Sequence, residues 1–135
     1  MTTYIQMLIR LILAVVAGGL VGLEREAVHK PAGIRTHMLV CLSAALAVLI
    51  TIEQLPGEAA WIIAGIEMGI GLLGAGTIFK SHNEVHGLTT ASSILAVSIL
   101  GLSIGMGYYA MSLIAFILIL FILHMKYIGF LKHHT

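Results

Sequence analysis

The residue with the most chemical potential is Glu67, a lone carboxylate in the apolar run from Gly65 to Phe79. A charged side chain at the centre of a membrane span costs about 2.5–3.5 kcal/mol on insertion scales and usually faces a bundle interior or a cavity. Two kinds of chemistry suit such a group: a proton-linked carboxylate, or an oxygen ligand for a hard cation such as Mg²⁺, which would keep several waters. The plainer alternative is a protonated Glu, or one hydrogen-bonded to Thr or Ser on the fourth span, that only holds helices together. A second polar group lies in residues 24–37, where Glu24, Arg25, Glu26, Arg35 and Thr36 fall between two apolar runs. They form either a membrane-surface cluster that fixes topology and caps helices, with Thr36 as N-cap of the second span, or a surface for an anion or a partner's acidic face. Glu24 and Glu26 stand about 200° apart on a helix, which disfavours a shared ligand and favours salt bridges with Arg25, Lys30 and Arg35.

Hydroxyls form a third group. Thr89 and Thr90, followed by Ser92 and Ser93, open the fourth apolar run, where such groups bond to carbonyls one turn back or cross to a neighbouring helix. His82 and His86 could chelate a metal only if helical, and they lack a third soft ligand. His133 and His134 read as a solvated tail. No nucleophile with an adjacent base, phosphate loop or zinc signature is present, so no enzyme activity, catalytic residue or cofactor is expected.

The elements that position these residues follow from composition. Of 135 residues, 59% are hydrophobic and only 10% charged. Soluble domains run near 45–50% and 25%, so the chain is an integral membrane protein and a single domain. The net charge of +1, with basic residues dispersed, excludes a nucleic-acid surface. Cys41 has no partner cysteine and reads as a small buried hydrophobe. No cleavable signal peptide is expected, because the first apolar run ends in Glu24-Arg25-Glu26.

A span needs about 17–25 mostly apolar residues, and five runs qualify: 4–23, 36–52, 61–79, 88–105 and 108–127. The expected fold is therefore an all-α bundle of about five transmembrane helices. Lys and Arg favour cytoplasmic loops, and Arg25, Lys30, Arg35, Lys80, Lys126 and Lys132 all fall on one side of that arrangement. The N-terminus is then outside and the C-terminus cytoplasmic, with Arg10 snorkelling to the outer interface.

Glycine patterning bears on packing. Ala14, Gly18 and Gly22 form a small-xxx-small face that continues to Arg25. In the third span Gly65, Gly69 and Gly76 lie on one side, while Gly71 and Gly74 share the opposite side with Glu67. That span is expected to be packed on both faces as a central helix. The glycine faces also suit a homo-oligomer, with a dimer the simplest form.

The segments Gly18-Gly19-Leu20-Val21-Gly22-Leu23-Glu24-Arg25-Glu26, Lys30-Pro31-Ala32-Gly33-Ile34-Arg35-Thr36-His37, Gly69-Ile70-Gly71-Leu72-Leu73-Gly74-Ala75-Gly76 and Gly87-Leu88-Thr89-Thr90-Ala91 resemble the MgtC/SapB family of small membrane proteins. The match extends over about four fifths of the chain. The resemblance implies a multi-pass inner-membrane protein tied to growth at low magnesium, and for some members a restraint on the F-type ATP synthase. Many members carry a further soluble C-terminal domain, which this sequence does not include. Members usually have an apolar or small residue where this chain has Glu67, a Gln where it has Gly65, and an Arg where it has His86. The expected function is thus a regulatory or interaction protein in magnesium homeostasis, with a homo-oligomeric Mg²⁺ or proton-linked transporter using Glu67 as the alternative.

Overall fold

In hydrocarbon every backbone N–H and C=O must be paired within the chain, and an apolar run of this length meets that demand as a helix. The computed structural model describes residues 2–127. Five α-helices follow one another: α1 (Tyr4–Ala27), α2 (Ile34–Gln54), α3 (Ala59–Ala75), α4 (Leu88–Met106) and α5 (Tyr109–His124). Four of these, counting α3 with the 3-10 turn that precedes it, are long and apolar enough to cross a membrane. The fifth, α5, is a shorter apolar helix of 16 residues, continued by a 3-10 turn at Met125–Tyr127. His133, His134 and Lys132 lie outside the described residues.

The core sits between α1, α2, α4 and α5, where Ala14, Val21, Val40, Cys41, Ile94 and Val97 are buried together. A smaller cluster of Ala44, Val48 and Leu102 receives Ile63 and Ile66 from α3. Helix α4 is buried on several sides and occupies the central position. Glycines make these approaches close. A Cβ on Gly18 would stand 2.5 Å from the His37 carbonyl oxygen, and one on Gly22 would stand 2.6 Å from Ile34 Cα.

Helix α3 departs from expectation. Its only buried residue is Gly74, and Gly65, Gly69 and Gly71 have no neighbour within 4 Å of where a Cβ would stand. Trp61 and Leu72, on the same side as Gly65 and Gly69, are 79% and 77% exposed. The helix is packed on one face and lies at the edge of the bundle. It also ends at Ala75 rather than at Phe79, because residues 79–86 form a short antiparallel hairpin, β1 (Phe79–Ser81) with β2 (Glu84–His86). His82 and Asn83 at its tip both have positive φ, 48° and 65°, as a tight turn matched to the strand twist requires.

The two ends of the bundle differ. At one, the Thr2 N–H donates to Glu53 Oε1 at 2.9 Å. There too Arg10, expected to snorkel, donates from Nη1 to the Gly105 carbonyl at 2.8 Å and from Nε to Tyr109 Oη at 3.2 Å. Its cation meets the unpaired carbonyls at the C-terminus of α4, where the helix dipole favours positive charge. The opposite end carries residues 24–37, the hairpin and the last turn of α5.

Candidate functional site

Glu67 lies on the inward face of α3. Its Oε1 accepts a hydrogen bond from Ser98 Oγ of α4 at 2.6 Å, while Oε2 is buried and has no partner. This carboxylate therefore links α3 to the central helix through one oxygen and leaves the other unmet. Among the described residues no group of three or more His, Cys, Asp or Glu could hold a metal ion. A hydrated Mg²⁺ needs near-octahedral oxygen ligation with room for several waters. One buried carboxylate oxygen does not fit that requirement, so within a single chain Glu67 is a helix contact.

The end bearing residues 24–37 holds the denser polar network. Arg25 emerges from the packed face of α1 and is 3% exposed. Its Nε and Nη2 donate to the two carboxylate oxygens of Glu24, at 2.7 and 3.3 Å, and its Nη1 is buried without a partner. Glu26 points elsewhere: its Oε2 accepts the Ile34 N–H at 2.9 Å. That carboxylate caps α2 from across the loop, a favourable place for negative charge at a helix N-terminus. Gly33 permits the approach, since a Cβ there would stand 2.5 Å from Glu26 Oε2.

Two expectations change accordingly. Helix α2 begins at Ile34 with Gly33 at the cap position, so Thr36 falls inside the first turn and is not the N-cap. The salt-bridged cluster reduces to Arg25 with Glu24. Arg35, exposed, and Thr36, half-buried, instead line a surface hollow of about 320 Å³ with Glu26, Lys30 and Gly33.

Sequence reasoning missed His37. It is fully buried in the first turn of α2, with Nδ1 2.9 Å from the Gly33 carbonyl and Nε2 3.0 Å from Ser93 Oγ on α4. A carbonyl can only accept, so the ring carries a proton on Nδ1 and donates it to Gly33, while Nε2 lies within hydrogen-bond distance of the Ser93 hydroxyl that donates to the Thr90 carbonyl. Ser93 Oγ also lies 2.8 Å from the Thr90 carbonyl. The imidazole thus ties the loop at Gly33 and the start of α4 to one helix. A histidine opening an apolar helix, matched by hydroxyls opening another that ends at the same side of the membrane, was the available signal.

Thr90 is buried and Thr89 exposed at the start of α4, and Ser92 Oγ bonds to the Leu88 carbonyl one turn back at 2.8 Å. Gly87 adopts φ +88°, and a Cβ there would collide with the Thr77 carbonyl, so the neck of the hairpin requires glycine. Thr77 Oγ1 closes the end of α3 by donating to Gly74 O at 2.7 Å. His82 sits in the turn, and His86 stacks on Phe79 with ring centroids 5.2 Å apart. The strand geometry keeps these two histidines from the helical spacing that chelation would need.

Helices of membrane-spanning length and a polar network gathered at one end define a multi-pass all-α membrane protein with a built loop-to-helix junction. The chain belongs to the MgtC family, whose profile matches residues 11–128. YhiD of Escherichia coli (strain K12), provisionally named as a magnesium transporter, is 32% identical over 127 residues, covering 87% of this chain and 59% of YhiD. Protein MgtC of Salmonella typhimurium (strain 14028s / SGSC 2262) is 36% identical over 113 residues, covering 84% of this chain and 49% of its own length. Protein SrpB of Synechococcus elongatus is 36% identical over 121 residues, 78% of this chain and 66% of SrpB. The chain spans between about half and two thirds of the length of these curated relatives. No solved structure matches it.

Proposed function

We propose that the chain is a regulatory or interaction protein of the cytoplasmic membrane, acting in magnesium homeostasis through helix contacts rather than catalysis. Family membership and the magnesium in the name given to YhiD support the physiological setting. The observation that carries the mode of action is the open face of α3. Gly65 and Gly69 meet nothing within 4 Å, although glycine weakens a helix by about 1 kcal/mol relative to Ala. Small residues repay that cost in a membrane where another helix comes to backbone contact. The occupant is a second copy or another membrane complex, with the F-type ATP synthase as the partner suggested by family resemblance. The Lys and Arg distribution supports an external N-terminus, with residues 24–37 and the hairpin on the cytoplasmic side.

A second proposal, proton-linked transport in an oligomer, draws on the unmet Glu67 Oε2. Flux measurements on purified protein in liposomes separate the two. Contact-based regulation predicts no Mg²⁺ or H⁺ movement above protein-free vesicles, and a membrane partner that co-purifies with wild type. Flux that disappears in Glu67→Gln would establish the transporter instead.

A further inference from the structure

Between the last turns of α1 and α5 lies a cavity of about 340 Å³ lined by Arg25, His29, Lys30, Leu123 and Lys126, together with Ala27 and Val28. Among the described residues no acidic side chain lines it. Arg25 forms its buried side, and the guanidinium that Glu24 only partly satisfies still has Nη1 buried and unpartnered. A buried donor left unpaired costs about 1–3 kcal/mol, and more when charged. A second hollow of about 630 Å³ adjoins it, sharing Ala27 and Val28 and lined also by Leu20, Leu23, Glu24, Leu120, Phe121 and His124. An apolar groove between two membrane helices thus runs into a basic chamber at their ends.

We infer that this paired cavity binds an anionic phospholipid, with the headgroup phosphate at Arg25, Lys30 and Lys126 and an acyl chain along the groove between α1 and α5. The chemistry is that of phosphate: a guanidinium and two ammonium groups supply charge-assisted donors to one anion. Basic pockets between helices at the membrane surface are suited to such headgroups. The groove selects a lipid over a free phosphate, because a soluble anion leaves Leu20, Leu23 and Phe121 uncovered. This assignment is independent of whether the protein regulates or transports.

The test uses the full chain in detergent, titrated with phosphatidylglycerol or phosphatidylcholine and read by native mass spectrometry and thermal unfolding. Wild type should retain phosphatidylglycerol selectively and gain thermal stability from it, whereas inorganic phosphate alone should give no shift. Each lysine near an anionic headgroup contributes roughly fivefold in affinity, so Lys30→Ala/Lys126→Ala should lower phosphatidylglycerol binding about 25-fold. Lys126 is exposed and Lys30 half-buried, so this variant disturbs the fold less than Arg25→Ala, which removes a buried side chain. Ala27→Leu, which fills the junction of groove and chamber, should reduce binding of the lipid as well. An unchanged preference for phosphatidylglycerol in the double variant overturns the site. Stabilisation of wild type by inorganic phosphate to the same extent as by lipid overturns the lipid assignment.

Discussion

Helices α1 and α3 carry the same device, glycines spaced for close helix approach, yet the protein uses them differently. Gly18 and Gly22 of α1 touch the backbone of α2 at His37, Gly33 and Ile34. Gly65 and Gly69 of α3 touch nothing, and both are exposed. The spacing of small residues therefore specifies a surface able to meet another helix, and the rest of the chain decides whether an internal helix fills it. Where none does, the glycines still weaken the isolated helix, and an external partner becomes the economical explanation for their presence. Substitutions on the two faces should accordingly have opposite profiles.

The largest effect belongs to the filled face. In Gly22→Leu the added Cβ would stand 2.6 Å from Ile34 Cα and 2.7 Å from the Gly33 carbonyl, both backbone atoms that cannot rotate away. Overpacking costs typically 1–3 kcal/mol and sometimes more, and here the upper end, about 3 kcal/mol, is expected. Yield of monodisperse protein and the midpoint of thermal unfolding measure it. A Gly22→Leu protein as stable as wild type would mean that α1 and α2 can separate without cost, and the contrast with α3 would collapse.

Next comes the junction those glycines create. His37→Ala removes the ring that joins Gly33 to Ser93, while the Gly33 carbonyl keeps the backbone N–H of residue 37 and Ser93 keeps the Thr90 carbonyl. Two hydrogen bonds are lost at roughly 0.5–1.5 kcal/mol each, so a loss of about 2 kcal/mol is expected. Hydrogen exchange should report faster opening at residues 33–37 than in the middle of α2. Uniform exchange along α2 would assign His37 a packing role alone.

These two sites mark what was legible in the sequence and what was not. The helices were legible because hydropathy over a span is a sum of many residues, and a shift of a few positions hardly alters it. The close contact at Gly18 and Gly22 follows a spacing rule that needs only one helix to be known. The position of α3 did not follow, since periodicity gives the direction of a face and not what stands opposite it. Residues 79–86 were missed for a different reason: Ile78 and Phe79 continue the apolar run, and the turn at His82-Asn83 carries no glycine or proline to announce it. At the candidate site, Arg25 was readable from its place on the glycine face, but the pairing of Glu26 with the Ile34 N–H and of His37 with Ser93 depends on how the loop at Pro31 folds back.

A smaller effect probes the inward face of α3. Ser98→Ala removes the hydroxyl that Glu67 Oε1 accepts; interhelical hydrogen bonds in membranes average about 0.6 kcal/mol and reach about 1.7, so a loss of roughly 1 kcal/mol is expected. Glu67→Gln should be nearly neutral, within about 0.5 kcal/mol, because the amide keeps an acceptor for Ser98. Thermal unfolding of both variants ranks them. A Gln variant less stable than the Ser98→Ala variant would show that Glu67 makes a charge interaction beyond the serine bond.

The smallest effect on stability should come from the open face, and there the comparison is sharpest. In Gly69→Ala the new methyl meets no neighbour within 4 Å, and Ala exceeds Gly in helix propensity by about 1 kcal/mol. The isolated chain should therefore be unchanged or slightly stabilised, by at most about 1 kcal/mol. Association should move the other way, because a methyl at a glycine contact holds two helix backbones apart. Cysteine placed at Gly65 in a Cys41→Ala background provides the measurement, as cross-linking yield between copies or to a co-purified partner in native membranes. The expected result is efficient cross-linking that falls when Gly69→Ala is added, with no loss of folded protein. If Gly69→Ala raises stability and leaves every cross-link and magnesium-dependent growth phenotype intact, the exposed glycines of α3 face only lipid. Contact-based function would then have to reside on another surface of the bundle.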